Sequence, residues 1–207
     1  MFLSRVEIDT RNRYKMRDLT HLGAYHHWVE ESFHHGAPTD KRVRHLWRID
    51  TINQHNYLLV ISPEKPILKK LEAYGIHGSA QSLDYDHFLN TLKAGQMHRF
   101  RLTANPSYYQ NGRCFPHITA KQQLKWLLDR DQKHGFKITK NKNGWAQVKL
   151  THRAFHTLVH HGKIIKLNEA SFEGQLQITD EKLFKQTLVK GLGREKAYGM
   201  GLLTVMP

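Results

Sequence analysis

Cysteine and long apolar runs are nearly absent from this sequence of 207 residues. Cys114 is the single cysteine, so the chain forms no internal disulfide and offers no cluster of thiolate ligands to a metal. Such cysteine usage is typical of a reducing compartment, and we expect a cytoplasmic protein. Charges interrupt the apolar residues between Met1 and Ile8, which argues against a signal peptide and a membrane span. We therefore expect no membrane partner.

Acidic residues are scarce relative to basic ones. Asp and Glu number 18 against 32 Lys and Arg, which gives a formal net charge of +14 with all 16 histidines neutral. An excess of this size favours a polyanionic partner such as nucleic acid, although basic proteins of other kinds exist. Hydrophobic residues make up 39% of the chain, which is enough apolar material for folded cores.

Glycine is concentrated near the end of the chain, in the glycine-rich stretch of residues 191–201. It holds four glycines in eleven residues, with Arg194 and Lys196 between them. Uncovered backbone N–H groups and two cations suit close approach of a phosphate chain. The spacing matches neither the dinucleotide fingerprint nor a Walker lysine motif. A glycine helix cap followed by a flexible connector explains the same residues equally well.

Hydrophobic periodicity predicts a strand, helix, strand, strand, helix, strand order that occurs twice. The predicted strands cover 2–8, 45–52, 57–62, 97–105, 136–138, 145–150, 175–179 and 202–205, and the predicted helices cover 19–33, 67–74, 85–92, 120–134 and 181–190. This is the split βαβ pattern, so we expect an α+β protein of two tandem ferredoxin-like domains, 1–92 and 93–207. A basic β-hairpin over residues 151–174, with its turn near Lys163, belongs to the second domain.

His26 lies inside the apolar stripe of the first long helix, where a hydrogen-bonded core histidine is the more common explanation. The pairs His26 and His27, 34 and 35, and 160 and 161 raise the hypothesis of a metal-dependent enzyme. Adjacent side chains diverge on a helix or strand, and the His-Glu-x-x-His pattern is missing, so we predict no metal and no cofactor. A non-catalytic RNA-binding module is the other alternative, although no strand carries the aromatic RNP1 pattern.

Seven short segments, in order along the chain, resemble the CasE (Cse3) type of CRISPR repeat-processing endoribonuclease. They are Met1–Val6, Arg17–Leu19, Leu46–Arg48, Phe100–Pro106, Trp126–Leu127, Phe172–Gly174 and Gly191–Leu203. The resemblance implies RRM-related ferredoxin-like domains that bind the stem-loop of a CRISPR repeat transcript and cut at the 3′ base of the stem. It also implies that the protein stays on its product as a subunit of the type I-E Cascade complex.

The resemblance places the family's catalytic histidine on His26, with His27 as the competitor if the correspondence is shifted by one residue. A histidine can remove a proton from the 2′-hydroxyl or donate one to the departing 5′-oxygen, which leaves a 2′,3′-cyclic phosphate without a metal. Some members pair this histidine with a tyrosine three residues earlier. Here that position is Gly23, so Tyr25 is the candidate substitute.

The resemblance also implies RNA contacts in the second half of the chain. Arg194 and Lys196 of the glycine-rich stretch become candidate phosphate contacts, and Lys163 and Lys166 lie in the hairpin that grips the RNA stem. A-form RNA hides its base edges in a deep major groove, so we expect recognition through shape and phosphates. Two further candidates, Arg99 and Arg101, are equally well explained as solvated charges on a strand.

Overall fold

The computed structural model describes residues 1–34, 44–160 and 163–206. Its strands are β1 (Phe2–Glu7), β2 (Leu46–Ile52), β3 (His55–Ser62), β4 (Gln81–Asp84), β5 (Met97–Ala104), β6 (Ser107–Gln110), β7 (Arg113–Pro116), β8 (Phe136–Ile138), β9 (Val148–His160), β10 (Lys163–Ile178) and β11 (Leu203–Met206). Its α-helices are α1 (Arg13–Asp18), α2 (Leu22–Glu31), α3 (Leu68–Leu71), α4 (Tyr85–Thr91), α5 (Ala120–Leu128) and α6 (Glu181–Lys190). In this part of the chain, none of the helices combines the length and the apolar character needed to cross a membrane.

The chain divides into two compact units. The N-terminal unit contains Met1–Asn90 and Ala197–Gly199, and the C-terminal unit contains Thr91–Lys196 and Met200–Pro207. Three residues of the glycine-rich stretch therefore belong to the N-terminal unit. The independent domains expected at 1–92 and 93–207 stay a prediction.

The N-terminal unit is built on an antiparallel sheet with strand order β2-β3-β1-β4. This is the order of a ferredoxin-like fold, because β1 and β3 are central neighbours and the strand after each helix joins an edge. Alternation along β1 turns Val6 toward helix α2, whose Trp28 and Val29 pack in the same core with Leu58 and Val60 of β3. The indole N–H of Trp28 donates to the carbonyl oxygen of Leu71 over 3.1 Å, so this buried polar group is satisfied.

The C-terminal unit repeats the same topology with longer strands. Its main sheet has the order β11-β5-β10-β8, and β9 pairs with the first part of β10. β8 and β9 thus share the place that a single strand takes in the N-terminal unit. β9 and β10 form the expected hairpin, and the paired strands extend beyond the residues predicted for it. The α+β fold of two ferredoxin-like units is confirmed.

The first long helix, predicted over residues 19–33, starts later than expected. Residues 13–18 form a separate short helix, because the Asn12 side chain accepts hydrogen bonds from the N–H groups of Tyr14 and Lys15. Helix α2 begins only at Leu22, after an extended His21 whose Nδ1 accepts the N–H of Ala24 at 3.2 Å. Histidine is outside the usual set of N-cap residues, so this helix start carries only a weak sequence signal.

Residues 106–119, for which no strand or helix was predicted, contain a β-hairpin. Strands β6 and β7 pair from Ser107 with Pro116 to Gln110 with Arg113. Asn111 and Gly112 form the two-residue turn, with φ angles of 51° and 73°. This dipeptide is a strong hairpin signal because both positions of the turn need positive φ. In the helix that follows, Thr119 and Gln122 form a capping box, and α5 ends at Leu128 rather than at the predicted His134.

Candidate functional site

Helix α2 presents His26 at the surface of the N-terminal unit while it buries the two residues Trp28 and Val29. The His26 side chain is 36% exposed, and its Nδ1 lies 3.7 Å from a carboxylate oxygen of Glu30, one turn later. His27 is more exposed and points away, because adjacent residues on a helix are separated by about 100°. His26 is therefore accessible to a substrate, and its Nδ1 side faces the carboxylate of Glu30.

The aromatic ring of Tyr198 lies beside His26, with ring centroids 6.3 Å apart and planes inclined at 60°. Tyr198 comes from the three-residue segment of the glycine-rich stretch that belongs to the N-terminal unit. Sequence reasoning considered Arg194 and Lys196 in this stretch and missed Tyr198 two residues further on. The sequence signal for Tyr198 was an aromatic residue in a stretch whose other residues were explained by phosphate binding.

Trp47 holds this segment in place. Its indole N–H donates to the carbonyl oxygen of Ala197 over 3.1 Å, and the side chain is almost fully buried. Gly199 has a φ angle of 77°, and a Cβ atom there would come within 2.8 Å of the Trp47 ring. Both the backbone conformation and the close approach require glycine. The result is a fixed position for Tyr198 next to His26.

Tyr25 lies on the core side of the same helix. Its ring is 5.9 Å from the Trp47 ring and 6.3 Å from the Trp28 ring. Burial raises the pKa of Tyr25, which makes its hydroxyl a weaker acid. Tyr25 thus supports the tryptophan that anchors Ala197, and its expected partnership with His26 stays a prediction.

The rest of the glycine-rich stretch lies in the C-terminal unit and is closed by backbone bonds. The N–H of Leu192 donates to the carbonyl of Gly201 over 2.8 Å, and the N–H of Gly201 donates to Thr103 over 2.6 Å. Arg194 is exposed and places its guanidinium 4.8 Å from the ring centroid of Tyr109, to whose hydroxyl it also donates a hydrogen bond. This bond raises the pKa of Arg194.

Lys196 lies near two other basic groups in the C-terminal unit. Burial lowers the pKa of His134, and the charges of Lys196 and Arg130 lower it further. The electrostatic potential at His134 is therefore positive, and a positive potential attracts anions.

Arg99 and Arg101 line a cleft of about 720 Å³ on the sheet of the C-terminal unit, between β5, β9 and the end of β10. The guanidinium of Arg101 forms two hydrogen bonds to Glu173, one of them from Nε over 2.8 Å. Lys149 Nζ lies 3.7 Å from the same carboxylate. The charge of Arg101 is therefore partly neutralised, and a phosphate contact by either arginine stays a prediction.

The long hairpin of β9 and β10 exposes Lys166, which pairs across the ladder with Thr157. The side chain of Lys163 lies outside the described part of the structure. Phe155 and Ile164 are 63% and 67% exposed on this hairpin. His156 Nε2 lies 2.6 Å from a carboxylate oxygen of Glu169. The hairpin thus combines basic, apolar and titratable side chains on an open surface.

The histidine pairs do not assemble a metal site in the ranges 1–34, 44–160 and 163–206. In these ranges no three His, Cys, Asp or Glu side chains form a group that could hold a metal ion. The second residues of the pairs at 34–35 and 160–161 lie outside the described residues. Independence from metal stays a prediction about the reaction.

Comparison with known proteins gives one consistent result. The CRISPR-associated endoribonuclease Cse3 of Thermus thermophilus is 29% identical over 216 residues, which cover 100% of both chains. The structure of Thermus thermophilus Cse3 bound to an RNA representing a pre-cleavage complex matches with a TM-score of 0.82 at 26% identity, over 100% of this chain and 98% of that chain. Cse3 bound to a 19-nucleotide RNA matches with a TM-score of 0.81 at 27% identity, over 100% of both chains.

The fold extends to a more distant protein, Cas6e of Escherichia coli, with a TM-score of 0.66 at 22% identity over 100% of both chains. A family model described as CRISPR associated protein matches residues 1–207, the whole of the sequence. The chain belongs to this family of CRISPR-associated proteins.

Proposed function

We propose that this protein is a metal-independent endoribonuclease that binds CRISPR repeat stem-loops and cleaves at the 3′ base of the stem. The products are a 2′,3′-cyclic phosphate and a 5′-hydroxyl, and the enzyme stays bound to the processed RNA as a Cascade subunit. The observation that carries the proposal is the accessible pair of His26 and Tyr198 in a chain related to Cse3 over its whole length. The substrate, a transcript, and the single cysteine support a cytoplasmic location.

The RNA supplies its own nucleophile, so the protein has to position the reacting phosphate and move protons. The 2′-oxygen attacks the adjacent phosphorus while the bond from phosphorus to the 5′-oxygen breaks. His26 either accepts the 2′-hydroxyl proton or donates one to the departing oxygen, and a histidine can do both near neutral pH. Glu30, one turn away, favours the orientation in which Nδ1 faces the helix and Nε2 faces the substrate.

Tyr198 provides the phenol group that Gly23 cannot. Some members of the family that the sequence resembles pair the histidine with a tyrosine three residues earlier, and in this chain a tyrosine from another segment lies beside the histidine. We assign to Tyr198 a hydrogen bond to the reacting phosphate or to the 5′-oxygen. Tyr25 remains the alternative for this role, although its raised pKa and its packing against tryptophan rings support a structural one.

The C-terminal unit supplies the RNA-binding surface. Lys166 and Lys163 on the long hairpin, Arg194 and Lys196 of the glycine-rich stretch, and Arg99 and Arg101 on β5 contact phosphates in this proposal. Such contacts recognise the shape of a stem and carry little sequence information. The similarity to Cse3 structures with bound RNA supports an RNA-binding role for this chain.

The direct test is incubation of the purified protein with the repeat RNA of its own host in excess EDTA, followed by analysis of the product ends. The proposal expects full cleavage, a 5′-hydroxyl on the downstream fragment and a 2′,3′-cyclic phosphate on the upstream one. Loss of cutting in EDTA that is restored by a divalent ion contradicts the mechanism. Tight binding without any cutting supports the non-catalytic RNA-binding module instead.

A further inference from the structure

The short hairpin of β6 and β7 carries aromatic side chains that no core uses. Tyr109 is 60% exposed, Tyr108 is 40% exposed and Phe115 is 39% exposed. The hairpin is only four residues long on each strand, and a ribbon of this size with apolar rings facing water is unusual unless the rings bind something.

The two faces of this hairpin differ. On one face Tyr108 stacks on its cross-strand neighbour Phe115 at 5.7 Å and on His117 at 4.9 Å, so these rings satisfy one another. On the other face Tyr109 pairs with Cys114, which offers no ring. Tyr109 instead meets the guanidinium of Arg194, 4.8 Å from its ring centroid. The face with Tyr109 is therefore the open one.

Arg194 orients Tyr109 by two contacts at once. Its guanidinium lies over the ring and donates a hydrogen bond to the phenol oxygen. A ring held in this way has lost rotational freedom before a ligand arrives, so stacking on it costs less entropy. The guanidinium covers one face of the ring, so a base would stack on the other face, and it adds a positive charge.

The charge around this surface indicates the ligand. Residues 107–116 include Arg113 and contain no Asp or Glu. The register pairs Arg113 with Gln110 and so puts it on the face of Tyr108, whereas Arg194 is the cation that lies against the Tyr109 ring. An exposed aromatic ring with an arginine beside it is a combination suited to a nucleobase and its phosphate. Bases inside a stem have both faces covered by their neighbours, so the ligand has to be an unpaired nucleotide.

We propose that Tyr109 and Arg194 form a stacking subsite for an unpaired nucleobase of the bound RNA, next to the stem. The base stacks on the Tyr109 ring, and Arg194 neutralises a neighbouring phosphate. This inference rests on the proposed function and adds a contact to single-stranded RNA that shape recognition of the stem does not supply.

The test compares two RNAs, the repeat stem-loop with its single-stranded flanks and the same stem-loop trimmed to the paired region. Affinities are measured by fluorescence anisotropy at one fixed salt concentration. Tyr109→Ala should weaken binding of the flanked RNA by roughly 5–100-fold and leave binding of the trimmed RNA unchanged, since one stacked base is lost. Tyr109→Phe keeps the ring and should stay within about threefold of the wild type.

Tyr108→Ala is the matched control, because it removes an exposed tyrosine from the opposite face of the same hairpin. It should not discriminate between the two RNAs. Replacing each unpaired nucleotide in turn by an abasic residue then locates the base, because the effect of that replacement should disappear in Tyr109→Ala protein.

Equal losses on both RNAs, or no loss on either, overturn the stacking subsite while the wild-type protein still binds the stem. If the wild-type protein binds neither RNA, the proposed function fails as well, so the two failures are distinguishable. A loss restricted to Tyr108→Ala would assign the contact to the other face and contradict the proposal.

Discussion

The two units share a strand order but differ sharply in charge. Residues 1–90 contain 12 Lys and Arg against 11 Asp and Glu, whereas residues 91–207 contain 20 against 7. The near-neutral half carries His26, and Tyr198 joins it from the glycine-rich stretch. The basic half carries the long hairpin, Arg194 and Tyr109. In the proposed function one topology thus serves two tasks, proton transfer in one unit and phosphate binding in the other.

This comparison predicts that changes at the N-terminal site alter the cleavage rate, whereas changes on the C-terminal unit alter affinity. The division is physically reasonable, because a histidine that has to gain and lose a proton near neutral pH works poorly in a strongly positive environment. Five experiments, ordered by the size of the expected effect, test this division.

The largest effect is expected from the substrate itself. A 2′-deoxy substitution at the cleaved nucleotide removes the nucleophile, so cleavage should be abolished while affinity stays within about threefold. The measurement is a single-turnover cleavage assay beside a binding titration. A 2′-deoxy substitution at the neighbouring nucleotide is the control and should leave cutting intact. Continued cleavage of the modified RNA would show that water or another group is the nucleophile.

Tyr198→Phe should slow single-turnover cleavage by roughly 10–100-fold, because it removes one hydrogen bond made in the transition state and keeps the ring packed beside His26. Repeat affinity should remain unchanged. Tyr25→Phe is the matched variant on the same unit and should cut at nearly the wild-type rate. If Tyr25→Phe cuts more slowly than Tyr198→Phe, Tyr25 rather than Tyr198 is the partner of His26.

Shortening the long hairpin should weaken stem binding by about tenfold or more, because the proposed phosphate contacts of Lys163 and Lys166 are lost together. Joining His156 to Leu167 through an Asn-Gly turn removes both lysines and preserves a register pair of the ladder. At saturating protein the cleavage rate should be unchanged. If the truncated protein is folded and binds with wild-type affinity, the hairpin is not part of the RNA-binding surface.

Lys166→Ala should produce a smaller change, a reduction of about 0.7–0.9 in the magnitude of the slope of log affinity against log salt, as expected for one phosphate contact. Lys69→Ala, an exposed lysine of helix α3 in the N-terminal unit, is the matched control. Its salt slope should equal that of the wild type. Equal slopes for all three proteins mean that Lys166 does not touch the RNA.

The smallest expected effect concerns pH and the C-terminal unit. Burial, with the charges of Lys196 and Arg130, lowers the pKa of His134, so the folded state binds a proton less readily than the unfolded one. This contribution to stability is present above the unfolded pKa of about 6.5 and is lost as the pH falls below it. His134→Asn should therefore lose less stability than the wild type between neutral and mildly acidic pH in urea unfolding. A parallel loss in both proteins contradicts the electrostatic account.

Much of the fold followed from the sequence because its periodic patterns were strong. The structure confirms the two strands that were predicted from alternation, β1 and β5. It also confirms the helix that was predicted before Gly191 from helical periodicity. The family assignment, made from short collinear segments, is confirmed along the whole chain. The start of helix α2 was predicted too early, at residue 19 rather than at Leu22. Asn12 and His21 act as N-caps there, and no clear hydrophobic periodicity marks the boundary.

The site was less predictable, because its parts meet only through tertiary packing. His26 could be selected through the family resemblance. The position of Tyr198, however, depends on Trp47, which is far away in sequence. Trp47 binds the carbonyl of Ala197 and lies so close to residue 199 that only glycine fits there. Tyr109 was missed because no strand was predicted between residues 105 and 120, where Asn111 and Gly112 form the turn of a hairpin. Local patterns specify strands and helices well, and they say little about which side chains meet across the sequence.

The central claim is that His26 transfers a proton and contributes little to RNA affinity. The most direct measurement is single-turnover cleavage and equilibrium binding of repeat RNA by His26→Ala, with His27→Ala as the control on the same helix. We predict that His26→Ala slows cleavage by roughly 10²–10⁴-fold with affinity within about tenfold, while His27→Ala cuts normally. Wild-type cleavage by His26→Ala, or a parallel loss of folding, binding and cleavage, would contradict the account.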